Sequence, residues 1–169
     1  MAKRISVVET AKLVRAALKE AFPEVKFSVK SSKYSMGASI DVYWTDGPVT
    51  AQVNPVVKGF GGATFDGMQD LKEHHNSILN GEEVSFGADW VHTNREVSRE
   101  RIDALAALLE KAGKEMWLTI CCEMKHPSPC QAVNHAFTAS DLAYSLLHNV
   151  ADPKFEGRKP AAVAERLAA

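Results

Sequence analysis

The sequence lacks any apolar run close to the roughly 18 residues that a membrane-spanning helix needs. Its first ten residues carry two positive charges, but the apolar stretch behind them, Ile5, Val7 and Val8 around a serine, is too short for a signal peptide. The three cysteines are an odd number and two are adjacent, so they do not form a secreted disulfide framework. These absences predict a cytoplasmic protein without a membrane segment.

A strong net charge is missing as well. The chain of 169 residues has a net charge of −1, which argues against indiscriminate binding to nucleic acid. The distribution is uneven, because residues 1–33 contain eight Lys or Arg against three Glu, or +5, whereas the remainder carries −6. This asymmetry predicts a local basic surface in the N-terminal part of the chain.

A nucleotide-binding loop is the third absence. The stretch "GFGGATFDG" (59–67) is rich in glycine, but it lacks the Lys-Ser/Thr of a phosphate-binding loop and does not follow a strand in a βαβ unit. We interpret it as a flexible connection and assign no nucleotide to it.

The hydrophobic pattern changes period along the N-terminal part of the chain. The stretch "SVVE" (6–9) is typical of a capping box, and helical spacing of apolar residues follows as far as Phe22, where Pro23 ends the helix. The segments "VKFSVKS" and "GASIDVYW" then alternate in polarity, which predicts a hairpin with one buried face. "VSFGADWVHT" (84–93) alternates too and predicts a third strand, with Trp44 and Trp90 in the core.

Helices are predicted elsewhere from spacing and end signals. Residues 49–57 suggest a helix that is either kinked by Pro55 or begins late with Asn54 as its cap. "MQDLKEHHNSILNG" (68–81) predicts a helix stopped by glycine, and Ser98 begins another helix that Gly113 closes. Beyond Gly113 the pattern predicts a helix capped by Thr138 or Ser140 and an alanine-rich helix over 160–169.

The predicted fold class is α+β. A small antiparallel sheet, made of the hairpin and the third strand, is covered by helices. The predicted domain organisation is an α+β domain over residues 1–113 and a helical C-terminal extension over 114–169 that packs on it.

The stretch 121–135 concentrates all three cysteines and two of the six histidines. Two thiolates and two imidazoles suit tetrahedral zinc, but the spacing does not match the usual paired-cysteine patterns of zinc sites. Cys121 and Cys122 follow an apolar segment, where cysteines act as small hydrophobic residues, and no nucleophile motif surrounds Cys130. Structural cysteines are the preferred interpretation, zinc the alternative. The four possible zinc ligands are Cys122, His126, Cys130 and His135.

Three residues spaced by four, Asp66, Asp70 and His74, would share one face of a helix and could hold a divalent cation. A solvated polar face explains the same spacing, and we prefer it.

Basic residues recur on the first helix and on the polar face of the first predicted strand. Together with two tyrosines that could stack on bases, they predict a surface for phosphates or for an acidic partner protein, although a merely solvated face is the simpler interpretation. The residues are Lys12, Arg15, Lys19, Lys26, Lys30, Tyr34 and Tyr43.

Four separated motifs within Phe22 to about Ser98 carry a family resemblance. "FPEVKFSVKS", "SMGASIDVYWTDGP", "FDGMQDL" and "SFGADWVHTNREVS" resemble, in this order, one of the large polyvalent-protein-associated domains of phages and conjugative plasmids. The resemblance implies association with mobile genetic elements and with proteins that protect incoming DNA from host defences. It implies no catalytic residues.

These observations lead us to expect a non-enzymatic binding protein of a phage or plasmid in the bacterial cytoplasm. We expect it to counteract a host defence system, of the CRISPR or restriction type, by covering a protein or nucleic-acid surface, without a cofactor. The alternatives are a nucleic-acid-binding accessory factor and a zinc- or cysteine-dependent enzyme that uses residues 121–135.

Overall fold

The computed structural model describes residues 2–68, 71–160 and 165–166. They form two compact units: the first draws on 1–44, 51–94 and 157–169, and the second on 45–50 and 95–156. The first unit contains small sheets with two helices, and the second is helical, so the predicted α+β fold with C-terminal helices is confirmed.

From Lys3 to Glu96 the described chain contains two α-helices and eight strands. In order, the elements are β1 Lys3–Ile5, α1 Val7–Ala21, β2 Ser28–Tyr34, β3 Gly37–Thr45, α2 Thr50–Val57, β4 Ala63–Asp66, β5 Leu71–His74, β6 Ser77–Leu79, β7 Glu82–Phe86 and β8 Trp90–Glu96. With β9, Glu165–Arg166, the strands form three sheets in the orders β1-β7-β6-β9, β2-β3-β8 and β4-β5. The first sheet is mixed, because β1 runs parallel to β7, and not purely antiparallel as predicted.

Helix α1 and the β2–β3 hairpin follow the sequence pattern closely. The Ser6 side chain accepts from the Glu9 backbone and the Glu9 carboxylate accepts from the Ser6 backbone, so the predicted capping box is confirmed. Residues of β2 and β3 pair in register from Ser28↔Tyr43 to Tyr34↔Gly37. The apolar face of α1 and alternate residues of β3 are buried in the core of the first unit, and they include Val14, Leu18, Phe22, Ile40, Val42 and Trp44.

The helix predicted for residues 68–81 is wrong. Leu71–His74 and Ser77–Leu79 are strands, and β6 continues into β7 through the dipeptide Asn80-Gly81. Both residues have positive φ angles, 52° and 81°, which a two-residue type I′ hairpin turn requires. Gly81 therefore makes a hairpin and does not stop a helix.

The single strand predicted for 84–93 is also wrong, because it consists of two strands in different sheets. Strand β7 ends at Phe86 and β8 begins at Trp90, which is only half-buried. The intervening residues bond elsewhere: Gly87 donates to the Ile5 carbonyl, and the Asp89 backbone donates to Ala38. Neighbouring Ala63–Asp66, predicted as part of a loop, form β4 against β5.

Two further helix predictions have mixed outcomes. Helix α2 starts at Thr50 with Pro55 inside it, so the late start at Asn54 is wrong. In the predicted helix over 160–169, Glu165 and Arg166 are strand β9, paired with Ser77 and Ile78 of β6. Residues 161–164 and 167–169 lie outside the described residues.

The second unit is a cluster of four helices. They are α3 Arg99–Ala112, α4 Trp117–Glu123, α5 Pro129–His135 and α6 Ala139–Asn149. Their shared core contains Leu109, Trp117, Cys121, Leu142 and Leu146. Thr138, one of the two caps predicted for this helix, is the N-cap of α6 and forms a capping box with Asp141.

Polar bonds join the two chain segments of the second unit, residues 45–50 and 95–156. Ser98 is the N-cap of α3, but its side chain makes no capping bond; instead its backbone N–H donates to Asp46 at 3.0 Å. The Arg95 guanidinium donates to the carbonyls of Leu147 and Gly47 at 2.6 and 3.0 Å. Burial, together with the charge of Arg101, lowers the pKa of Arg95 from its ordinary value.

Membrane crossing requires a long apolar helix. Within the described ranges, every helix is too short or too polar for that role.

Candidate functional site

The predicted basic residues lie on α1 and along the segment that forms β2. Lys12, Arg15 and Lys19 project from the exposed side of the helix, and Lys26 and Lys30 are exposed around the start of the strand. The Arg15 guanidinium donates to the Val29 carbonyl at 2.6 Å. This bond ties the helix to strand β2, so the two groups of cations occupy one continuous surface of the first unit.

Three of these cations surround a groove between the C-terminal half of α1 and the segment before β2. The groove has a volume of about 330 Å³ and is lined by more apolar than polar side chains. Its cations are Arg15, Lys19 and Lys26, and its apolar lining comprises Leu18, Pro23, Val25 and Phe27. We call this feature the basic groove; Lys12 and Lys30 lie on the same elements outside its lining.

The lysines at and near the rim of the basic groove are not paired with any acidic side chain that the structure describes. Among the described residues, Lys19 and Lys26 have no ion-pair or hydrogen-bond partner, and neither does Lys12. An acidic ligand would therefore not need to break an existing ion pair at these three lysines. The floor is well anchored, because the Phe27 ring packs against Phe22 and Trp44 at centroid distances of 6.0 and 5.5 Å.

The predicted tyrosines are exposed on the hairpin but lie outside the groove. Tyr34 and Tyr43 are 47% and 41% exposed. The Lys30 ammonium lies 5.6 Å from the centre of the Tyr43 ring, within cation–π range. Lys30 and Tyr43 therefore form a local pair, whereas no contact joins Tyr34 to them among the described residues.

The possible zinc ligands in 121–135 are not arranged around a common point. Cys122 and Cys130 are exposed thiols, and His135 lines the same cavity as the buried His126. Across the described ranges 2–68, 71–160 and 165–166, no three His, Cys, Asp or Glu side chains are grouped to hold a metal ion. The segment would have to rearrange to bind zinc with these four residues.

His126 makes a contact that the sequence analysis did not foresee. Its Nε2 lies 3.1 Å from Ser145 Oγ, and its Nδ1 accepts from the Ser128 backbone N–H at 3.0 Å. Because Nδ1 is an acceptor, the ring proton is on Nε2 and is donated to Ser145. This is the opposite tautomer from the one a general base needs to activate a serine, so the pair is a structural bond.

Cys121 behaves as a core residue. Its side chain is fully buried, and burial, with a smaller effect of Cys122, raises the pKa of the thiol. A protonated, buried thiol is a poor nucleophile and a poor metal ligand. This agrees with the packing role that the sequence suggested for it.

Asp89 is a tightly held polar group of the first unit, and it was not among the site residues predicted from the sequence. Its carboxylate accepts from Lys72 at 2.7 Å and from the Ala38 backbone at 3.0 Å, and His74 Nδ1 lies 3.8 Å away. Burial by itself raises the pKa of Asp89, but the bonds from Lys72 and Ala38 and the nearby charges outweigh it and hold the pKa below its usual range.

Gly37 makes room for this arrangement. A Cβ at Gly37 would overlap the Asp89 carboxylate, so any other residue would displace that carboxylate from its bonds to Lys72 and Ala38. Two features of the sequence could have pointed to this contact. One is the glycine that begins β3, and the other is Asp89, an acid within the largely apolar stretch 84–91.

The alternative cation site of Asp66, Asp70 and His74 depended on a helix. His74 lies on strand β5, and Asp66 ends β4. Asp70 lies outside the described residues. Because Asp66 and His74 lie on strands, they do not share the helical face on which the predicted cation site depended.

The protein is thus a small α+β protein with C-terminal helices, and its first unit carries the basic groove. The chain belongs to the family of large polyvalent protein associated domain 29, whose sequence profile matches residues 5–98. This confirms the suspected family and associates the chain with phages and other mobile genetic elements. No curated protein and no solved structure matches the chain.

Proposed function

We propose that the chain is a non-enzymatic binding protein of a phage or plasmid, which acts in the bacterial cytoplasm and counteracts a host defence complex by covering one of its protein surfaces. The observation that carries this proposal is the basic groove, where Arg15, Lys19 and Lys26 surround an apolar floor. The family supports the mobile-element origin. We further propose that the target is a host defence complex of the CRISPR or restriction type.

The groove favours a protein over a nucleic acid as the partner. Protein interfaces concentrate their binding energy where an apolar or aromatic side chain enters a pocket and charged groups close its rim. A partner with such an anchor beside an Asp or Glu would use both the floor, Val25 and Phe27, and the rim of the groove. Nucleic-acid phosphates would pair with the rim and leave the floor without a partner.

Part of the groove is already held in place before any partner arrives. The bond from Arg15 to the Val29 carbonyl fixes one rim cation, and the aromatic contacts of Phe27 fix the floor. A preformed site loses less conformational entropy on binding.

The test is a protection assay with charge-reversal variants. Lys12, Lys19, Lys26 and Lys30 are changed together to Glu, and Arg15 is kept because it supports β2. In cells with a CRISPR or restriction system, we expect the wild-type chain to raise the plating efficiency of a targeted phage. With the quadruple variant, the plating efficiency should be at least about tenfold lower than with the wild type. The untargeted phage provides the baseline.

A matched control carries the same change of charge on other exposed lysines. These are Lys58, Lys111, Lys125 and Lys159, all outside the basic groove. We expect this control to protect like the wild type. Absence of protection by the wild-type chain against every defence system tested would contradict the proposed target. Full protection by the folded quadruple variant would contradict the role of the groove.

A nucleic-acid-binding accessory factor is the second candidate, and the Lys30–Tyr43 pair favours it. A cation beside an exposed aromatic ring is a common platform for a stacked base. This candidate predicts binding to single-stranded DNA that weakens steeply with salt, and a loss of binding in Tyr43→Ala. Val25→Asn separates the two candidates, because it makes the groove floor polar without changing its charge.

The absence of catalysis is part of the proposal. It is supported by the way the polar residues of 121–145 are already committed, above all His126, whose two ring nitrogens both have partners. Turnover of a substrate that depends on Cys130 or His126 would contradict it.

A further inference from the structure

Strands from all three sheets of the first unit meet at a second cavity, which shares no residue with the basic groove. Its volume is about 530 Å³, within the range of small-ligand sites. Arg4 of β1, Lys33 of β2, and Lys72 and His74 of β5 contribute side chains to its lining, and Asp89 lies at its wall. Residues far apart in the sequence therefore bring four basic groups to one place.

The charges around this cavity are not balanced. Asp89 is the one acid among the described residues that line it, and it is paired with Lys72. Arg4 and Lys33 have no ion-pair or hydrogen-bond partner among the described residues. Two cations that line one cavity without a counter-charge repel each other, and a bound anion would offset that repulsion.

The donors suit a tetrahedral anion. The Lys72 ammonium has three N–H donors, of which the structure assigns one to Asp89 and one to the Met36 carbonyl at 3.3 Å. One remains, and Arg4 and Lys33 add a planar guanidinium and a second ammonium. Asp89, itself 7% exposed, holds Lys72 at the cavity wall, so this donor is fixed before a ligand arrives.

We propose that this cavity is an anion site for a phosphate group, with Arg4, Lys33 and Lys72 as the binding residues and Asp89 as the residue that positions Lys72. The volume exceeds that of phosphate alone, so the group belongs to a larger molecule, either a free nucleotide or a nucleic-acid strand. The site is independent of the basic groove and of the function proposed for it.

The experiment is calorimetric titration of the full chain at low ionic strength in a phosphate-free buffer. Three probes distinguish the sources: inorganic phosphate, adenosine monophosphate and a short oligothymidylate. We expect saturable binding of at least one phosphate ester with Kd below about 1 mM, which weakens as salt is added. Binding of the monophosphate assigns a nucleotide-type ligand, and binding of the oligonucleotide alone assigns a nucleic-acid strand.

The variants locate the site. Arg4→Gln with Lys33→Gln should weaken binding by about tenfold or more, because each removes a charge-assisted contact. Lys3→Gln with Lys111→Gln changes exposed cations outside both the cavity and the basic groove and should bind like the wild type. The groove variant with four charge reversals should keep phosphate binding, so that a failure of one proposal does not affect the other.

The outcomes that overturn the proposal are equally defined. They are no saturable binding of any probe up to about 10 mM, unchanged binding by the Arg4→Gln, Lys33→Gln variant, or an equal loss in the control. Because all the changed side chains are exposed, circular dichroism and thermal melting should match the wild type. NMR shift changes at residues 33–38 and 85–89 on titration would confirm the location independently.

Discussion

The two compact units differ in the polar side chains that line their cavities, because no Lys or Arg among the described residues lines the cavity beside His126 in the second unit. In the second unit, polar groups bond to one another: His126 to Ser145, Thr138 to Asp141, and Arg95 to two carbonyls. In the first unit, several cations lack partners among the described residues, both at the basic groove and at the cavity beside Asp89.

The overall charges follow the same division. Residues 45–50 and 95–156 contain seven Lys or Arg and ten Asp or Glu, whereas the remaining residues contain thirteen and eleven. Both proposals place function in unpaired charge held in a shaped surface, and not in the concentration of reactive residue types in 121–135. The following predictions test this division.

The largest effect is expected at Asp89, a largely buried carboxylate of the first unit that is paired with Lys72 and with the Ala38 N–H. Asp89→Ala leaves Lys72 and the Ala38 N–H without their acceptor and should lower the free energy of unfolding by about 3 kcal/mol. Urea denaturation followed by circular dichroism measures it. Glu82→Ala breaks the exposed pair with Lys3 and should cost about 0.5 kcal/mol or less. Equal effects of the two variants would contradict the special status of Asp89.

Arg95 provides the corresponding test in the second unit. Arg95→Met removes the donors to Leu147 and Gly47 and should lower the free energy of unfolding by about 2 kcal/mol, since two carbonyls lose a charged partner. Arg99→Met is the control, because its bond to Asp103 is exposed and should be worth about 0.5 kcal/mol. If Arg95→Met is no more harmful than this control, the polar bonds of the second unit are not structural.

The pH dependence of the Asp89 effect is a smaller change with a defined sign. Because the folded pKa of Asp89 is lowered, its carboxylate stabilises the folded state above the unfolded pKa, near 3.9, and this contribution is lost as the pH falls through the lower folded value. The stability difference between the wild type and Asp89→Asn should therefore be constant near neutrality and shrink below about pH 4. Denaturation at a series of pH values measures it, and a constant difference down to pH 2 would contradict the assignment.

The smallest perturbation is thiol labelling, which leaves the fold intact. Cys122 and Cys130 are exposed and Cys121 is buried, so a thiol reagent should modify two of the three cysteines in the native protein and the third only after unfolding. In Cys122→Ala with Cys130→Ala, native labelling should be nearly absent. Rapid reaction of that variant would show that Cys121 is accessible, against its assigned place in the core.

Elements stabilised by near neighbours in the sequence were predictable. The capping boxes at Ser6 and Thr138 and the hairpin of β2 and β3 all depend on contacts over a few residues. The predicted cations of the basic groove also came from helical and strand spacing. What spacing did not supply was the groove itself, because its floor forms only when α1 packs against the segment around Phe27.

The failures have a common physical reason. Residues 71–79 form two short strands, whereas their local pattern resembles a helix, and their partners are set by the fold, since β4 pairs with β5 and β9 with β6. Asn80-Gly81 was the local signal that could have corrected the helix to a hairpin.

The amino-acid order by itself determined the α+β class, the position of α1 and its caps, and the excess of positive charge near the N-terminus. Only the tertiary structure decided that Asp89 holds Lys72, that Arg4 and Lys33 join them, and that His126 is a donor to Ser145. The reason is that Lys72 and Asp89 are 17 positions apart, His126 and Ser145 are 19 apart, and Arg4 and Asp89 are 85 apart, and no local pattern records which distant strands will lie side by side.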